Sequence, residues 1–385
     1  MDFELSDEQR LLRDTIRSFV TAEIRPVARE FEASGQYPDE IVATMAQMGL
    51  FGLLVPEEYG GIAADMVSLA VVFEEISRGW MGVAGIIGSH SLSCWMIARF
   101  GTQEQKDALL PALASGERRT GIGLTEPGAG SDLQGIATTA RLDGESYVVN
   151  GRKTWITNAR HADPLPLLVK TDPSARPAHK GMSVLLVDPA TPGFEVVRDL
   201  PKLGYRGPET CEIVLDDVVV PAGNLLGGSE GRGLQQVLAA LEKGRINIAA
   251  RAVGVAQEAY DQALRYAGQR EAFGQKISGF QAVQLKLADM AMKLQAARLL
   301  TYWAASRADA GQRADLESGL AKVYASEVAQ ECAFTAMQVH GGYGYSKEFT
   351  VERLYRDAPL MVIGEGTNEI QKLVIARGLL ARARG

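Results

Sequence analysis

The sequence predicts an α+β chain, mainly α: an N-terminal α-helical domain, a middle domain on an antiparallel β-sheet or barrel, and a C-terminal four-helix bundle. Three observations predict it. Apolar residues recur at three- and four-residue steps through the first hundred positions. Short β-rich runs separated by Pro and Gly take over near residue 119, and long Ala-rich helical patterns return after Gly231. The expected boundaries are 1–118, 119–228 and 229–385.

Ser6 and Gln9 stand at capping-box spacing, where each side chain can satisfy an otherwise orphan amide. Leu11, Leu12, Ile16, Phe19, Val20, Ile24 and Val27 then draw one apolar helical face. Further helices are expected near 38–50, 66–79, 85–100 and 103–115, the last opened by Thr102 with Gln105 three residues on. Pro56 and Gly60-Gly61 mark a loop between them. In the middle region Asn150-Gly151, between Tyr147-Val148-Val149 and Lys153 to Thr157, reads as the type I′ turn of a hairpin. Short strands follow at Leu167 to Val169, Ser183 to Val187, Phe194 to Val197 and Glu212 to Leu215. The C-terminal pattern gives helices over roughly 232–268, 279–308, 314–340 and 366–382, joined by short connections as in a bundle.

Composition narrows the function. Of 385 residues, 46% are hydrophobic and 23% charged, which argues against disorder. Lys+Arg 40 against Asp+Glu 47 leaves a net charge of −7, so nucleic-acid binding through a basic field is not expected. Cys94, Cys211 and Cys332 are far apart, and the four histidines show no paired spacing, so neither a disulfide framework nor a protein-held metal is expected. The first twenty residues are acidic and amphipathic, unlike a signal peptide. Apolar stretches are broken by charge or glycine short of about 20 residues, so no membrane insertion and a cytoplasmic location are expected.

Four segments carry candidate chemistry. Gly123 to Gly135 is a small-residue loop in which Thr125, Ser131 and free amides could meet carbonyl or phosphate oxygens; equally, it could simply join helix to strand. It is not GxGxxG, and no βαβ unit surrounds it. Trp155 is either core or a flat wall for an aromatic ligand, with Thr157 two residues on. Gln338 to Tyr345 is either a glycine-rich helix end or a site around His340. Glu365, between Gly364 and Gly366 after an apolar run, is either an exposed acid at a helix start or a desolvated general base on a flexible turn. Gly227 to Gly231 fits GxSxG, but His340 precedes Asp357 in the chain and the sheet looks antiparallel, so it reads as a linker.

Taken together, these motifs resemble the acyl-CoA dehydrogenase family. Gly123 to Gly135 is similar to its first signature. Gln338 through Gly341, Gly342, Gly344, Glu348 and Arg353 to Asp357 is similar to the second. Arg270, Phe273-Gly274, Phe280-Gln281 and Glu365-Gly366-Thr367 follow in the family's order, so the resemblance covers essentially the whole chain. It implies FAD, held at Leu124, Thr125, Gly130, Ser131, Trp155, Ile156 and Thr157. Arg270, Phe273, Phe280, Gln281, Gln338, Val339, Gly341 and Gly342 would hold the adenosine diphosphate end of a flavin bound mainly by another subunit. Thr367 to Glu369 would close over the flavin. Ser131, Glu242, Arg245 and Gly366 would contact an acyl-CoA.

The resemblance implies α,β-dehydrogenation to a trans-2-enoyl-CoA, with Glu365 taking the α proton as hydride leaves for flavin N5. In relatives whose base comes from the helix holding Arg245, the matching position is Gly244 here, so Glu365 is favoured. Electron-transfer flavoprotein as acceptor and a homotetramer, a dimer of dimers, are also implied. Gly364 replaces the tyrosine many relatives carry, and with Gly85 and Gly88 suggests room for branched or bulky acyl groups. A flavin oxidase or monooxygenase on the same fold, or a non-catalytic acyl-CoA-binding protein, are the alternatives.

Overall fold

Ser6 opens the first helix as its spacing predicts. The computed structural model describes residues 4–311 and 313–383. The Ser6 hydroxyl accepts the Gln9 amide and the Gln9 side chain accepts the Ser6 amide, and α1 (Asp7–Phe19) follows. Next come α2 (Ala28–Ser34), α3 (Asp39–Gln47), α4 (Met66–Phe100) and α5 (Gln103–Ser115), the last capped reciprocally by Thr102 and Gln105. The two helices expected at 66–79 and 85–100 form one run broken only at Trp80, whose backbone is extended (φ −160°, ψ 109°).

One expectation fails in α4. Residues 80–98 carry no charge, and the glycines there do not interrupt the helix, so α4 is long and apolar enough to cross a membrane. Its most apolar window is 83% buried within the protein. It is a core helix here.

The middle region holds β1 (Thr139–Asp143), β2 (Ser146–Thr157), β3 (Leu165–Lys170), β4 (Met182–Val187), β5 (Phe194–Asp199) and β6 (Thr210–Pro221). They form one sheet in the order β4-β3-β1-β2-β6-β5. Its neighbours are antiparallel except β1 and β3, which pair in parallel through Thr139 and Lys170. The expected antiparallel sheet or barrel is therefore a mixed sheet. Alternation reports which face of a strand is buried, not which strand lies beside it. The hairpin turn is Gly144-Glu145, because Asp143 pairs with Ser146. Asn150-Gly151 lies inside β2 at a shift in its register with β6. A Cβ on Gly151 would fall 2.4 Å from the Thr138 hydroxyl, while Asn150 exchanges two hydrogen bonds with Asp217. The dipeptide marks a bulge.

The C-terminal region comprises α6 (Gly233–Gln269), a small hairpin of β7 (Glu271–Ala272) and β8 (Gln275–Lys276), α7 (Gln281–Asp309), α8 (Asp315–His340), α9 (Thr350–Ile363) and α10 (Asn368–Arg382). The four expected helices are α6, α7, α8 and α10, and sequence reading missed α9, which packs on α8 and α6. α6 is buried along most of its length against α4, α7 and α8, and its small residues let the backbones approach closely. A Cβ on Gly254 would lie 2.2 Å from the Glu74 carbonyl of α4. Gly254→Ala is therefore expected to destabilise the fold by about 1–3 kcal/mol through overpacking, read as a lower denaturation midpoint with unchanged slope.

Candidate active site

Glu365 lies on the turn between α9 and α10, not in the first turn of α10, whose N-cap is Thr367. Its backbone is left-handed (φ +57°), a conformation a glutamate adopts at a cost. The turn is pinned rather than flexible. Lys322, buried in α8, donates to the carbonyls of Val362 (3.1 Å) and Gly366 (2.9 Å) and to Asn368 Oδ1 (2.7 Å). Gln371 donates to the Glu365 carbonyl at 3.2 Å. Glu365 Oε2 is sheltered from solvent and has no hydrogen-bond partner among the described residues. Burial pushes this carboxyl above the ordinary glutamate range, while Arg251, Arg245 and Lys322 pull partly against it.

The carboxylate has room because position 244 is glycine. A Cβ there would come within 2.6 Å of Glu365 Oε2 and 3.0 Å of Leu92 Cδ1. Glu242 and Arg245, on the same helix, both hold the start of α8. Glu242 accepts the Ala314 amide at 3.2 Å, and Arg245 donates to Asp315 at 3.3 Å. The notches at Gly85 and Gly88 are filled. A Cβ on Gly85 would stand 1.7 Å from the Tyr205 hydroxyl, and one on Gly88 2.7 Å from Asn247 Nδ2. Those glycines therefore admit protein side chains, and at Gly364 a Cβ would meet the Leu360 carbonyl at 3.3 Å.

Tyr205 links this pocket to the sheet. Its hydroxyl is in polar contact with Thr157 at the end of β2 and with Arg251 of α6, whose guanidinium lies 5.3 Å from the ring centre. Asp357, buried in α9, accepts the Tyr205 amide at 2.6 Å, and burial pushes Asp357 up to about 6. Arg353 donates to the Gly79 carbonyl beside the α4 break at 2.7 Å. The acidic end of the second sequence signature thus braces the pocket wall.

The first signature loop is shaped by an ion pair that sequence reading passed over. Lys153, fully buried, donates to Glu126 at 2.8 Å and to the Leu124 carbonyl at 3.2 Å. Burial opposes it, yet Lys153 and the amides of Ala137 and Thr138 hold Glu126 below the usual carboxylate range. The loop leaves Gly130 and Ser131 exposed and Thr125 half-buried. Trp155 is 56% exposed with φ +63°, at a shift in the β2–β6 register, and so is not core. Leu124 and Ile156 do point into hydrophobic cores, so only their backbones can meet a ligand.

Arg270, Val339, Gly341 and Gly342 come together in a separate groove of about 570 Å³. Side chains at either glycine would meet nothing within 4 Å, leaving an open cradle. Gln338 is exposed beside it and engaged by Lys286. Phe273 projects from the β7–β8 hairpin, 96% exposed, edge-on to Phe280 at 6.0 Å, with Gln281 exposed at the start of α7. His340 is structural: Nδ1 bonds the Ala336 carbonyl at 2.8 Å and the ring stacks on Tyr266. Glu369 is exposed in the first turn of α10, away from the Glu365 carboxylate's shelter.

Profiles of known families cover nearly all of this structure. The acyl-CoA dehydrogenase N-terminal domain matches residues 6–117, the middle domain 121–218 and the C-terminal domain 231–380. The chain belongs to the acyl-CoA dehydrogenase family. It is 45% identical over 382 residues to the probable acyl-CoA dehydrogenase YngJ of Bacillus subtilis, covering 99% of this chain and 100% of that one. It is 40% identical over 380 residues to the caffeyl-CoA reductase-Etf complex subunit CarC of Acetobacterium woodii, covering 98% and 99%. Butyryl-CoA dehydrogenase of Megasphaera elsdenii superposes with a TM-score of 0.95 at 36% identity, covering 99% and 100%. Members of this family are FAD-dependent oxidoreductases.

Sequence reading overlooked Tyr205, Asn247, Arg251 and Lys322. For Asn247 and Arg251 a signal existed: both fall on the face of α6 that carries Gly244, at three- and seven-residue steps. Gly244→Ala is expected to push the Glu365 carboxylate aside, lowering acyl-CoA dehydrogenase kcat about ten-fold or more while the melting temperature stays near that of the parent. Unchanged turnover would show that position 244 does not bound the carboxylate.

Proposed function

We propose that the chain is an FAD-dependent acyl-CoA dehydrogenase that converts an acyl-CoA thioester to a trans-2-enoyl-CoA, with Glu365 as the α-proton base. The observation that carries this reading is the unpartnered, sheltered Glu365 carboxylate on a turn locked by Lys322 and Gln371. A carboxylate without donors is a stronger base than a solvated one, which suits removal of a weakly acidic proton. Its left-handed backbone holds it against Gly244, from where it would face the α carbon of a bound thioester. Thr367 to Asn368 hold the far side of the same turn.

The residues present fit FAD. Trp155 offers an exposed ring, Thr125, Ser131 and Thr157 offer hydroxyls, and the open glycines of the first loop allow close approach of a ligand to the backbone. When bound, FAD accepts the hydride that leaves the β carbon. Arg270, Phe273, Gln281 and the cradle at Gly341-Gly342 would hold the adenosine end of a flavin belonging to a second copy, which accounts for the exposed Phe273. A homotetramer built on such shared sites, the division at 118/119 and 228/229, and electron-transfer flavoprotein as acceptor belong to the same reading. Glu242 and Arg245 would line the CoA tail. Filled notches at Gly85 and Gly88 favour a short acyl group, and the missing side chain at Gly364, next to the base, is what would admit a branched one.

Anaerobic titration of the yellow holoenzyme with butyryl-CoA is expected to bleach the flavin. Glu365→Gln should slow that bleaching by about 10²–10⁴-fold while the thioester still binds. Because the carboxylate is the active form and its pKa is raised, the rate should climb with pH through a midpoint above the ordinary glutamate range. A Glu365→Gln enzyme reduced at the parent rate would refute the assignment. Hydrogen peroxide formed aerobically in step with substrate loss would favour the oxidase reading.

A further inference from the structure

The faces of α4 and α6 that meet at Glu365 run on together beyond it. Leu92 lies against Gly244, Gly88 against Asn247, and Gly85 against Tyr205, which in turn packs on Arg251. These residues fall at three-, four- and seven-residue steps on both helices, so they form one continuous wall. Arg251 stands two helical turns, about 10 Å, beyond Gly244, and its side chain leans back toward the N-terminus of α6, toward the base.

Arg251 is 6% exposed, and neither its Nε nor its Nη2 has a hydrogen-bond partner among the described residues. Asn247, at 4% exposed, likewise has an unpartnered Oδ1. Buried guanidinium donors left unpaired are costly, because water has been removed and nothing replaces it. Nor does the local charge balance. Arg245 is matched by Asp315, while Lys322 contacts only carbonyl and amide oxygens. Glu327 and Glu369 offset Lys322 beside Glu365, whereas Arg251 has no carboxylate bonded to it among the described residues. Glu365 Oε2 and the free Arg251 donors are not bonded to each other.

We propose that Arg251 recognises a second carboxylate on the acyl group, so that the pocket takes short dicarboxylic acyl-CoA thioesters in preference to neutral ones. This rests on the reading that Glu365 faces the α carbon of the substrate. The terminal carboxylate would supply the missing negative charge and accept both free N–H groups, a planar fork suited to two oxygens. Tyr205, stacked on the guanidinium and fixed by Asp357, holds Arg251 in place as a positioning residue.

Glutaryl-CoA and pentanoyl-CoA have the same chain length and differ in the terminal carboxylate. With the holoenzyme, kcat/KM read from flavin bleaching is expected to favour glutaryl-CoA by about ten- to a hundred-fold, mostly through KM. Arg251→Gln should bring that ratio to one or below, and Arg251→Lys, which keeps the charge and loses the fork, should fall between. Should Arg251→Gln fail to retain flavin, the parent preference and the lysine variant decide the matter. A parent enzyme that prefers pentanoyl-CoA, or a ratio unmoved by either variant, overturns the proposal and leaves the dehydrogenase reading standing. If no acyl-CoA, butyryl-CoA included, bleaches the flavin, both fall together.

Discussion

Position 244 carries no side chain, and the Glu365 carboxylate stands where one would be. Much of the local structure serves that arrangement. A left-handed glutamate and a carboxylate stripped of water each cost free energy, of order 1–3 kcal/mol for the backbone alone. Such a conformation persists only when its surroundings over-determine it. Lys322 does so from below, through three oxygens of the turn, and Gln371 fixes the carbonyl of Glu365 itself. The side chain is thereby placed without being hydrogen-bonded, which preserves its basicity.

A second set of contacts sets the wall opposite. Asp357 holds the Tyr205 backbone, Tyr205 fills the notch at Gly85, and its hydroxyl reaches both Thr157 and Arg251. One aromatic residue from the loop between β5 and β6 therefore joins the sheet, the α4–α6 wall and α9. The Trp80 break in α4 lies beside this junction. Gly207 packs against that indole ring, where a Cβ would lie 2.3 Å away, and Arg353 takes up the neighbouring Gly79 carbonyl. The binding pocket is thus a product of how three regions of chain meet, rather than of any one motif.

How much of this could be read from the sequence depends on the range of the interaction. Local signals were reliable: the capping boxes at Ser6 and Thr102 form with both reciprocal bonds. Asn150-Gly151 was misread because the same backbone freedom serves a bulge as well as a turn, and the Thr138 approach that decides between them comes from another segment. α9 was missed although Val351, Leu354, Ala358 and Met361 keep helical spacing; Pro359 and the apolar run after it obscured the pattern. Glu365 was legible as a candidate from its flanking glycines. Lys322 and Tyr205 were not, since each acts across forty or more positions of sequence and looks like ordinary helix or loop composition, while Arg251 carried only the signal of its place on the Gly244 face of α6. The side chains of Leu124 and Ile156 turned inward for a similar reason: strand and loop faces are set by the core they cover.

The base role of Glu365 depends on a carboxyl that is short of solvation in the resting protein. Infrared difference spectra of the parent against Glu365→Gln, followed through pH, isolate its carbonyl band. A base of this kind gives a protonated band that persists above the ordinary glutamate range and disappears with a raised midpoint. A band that titrates at or below that range would show a solvated, unremarkable acid and would contradict that role.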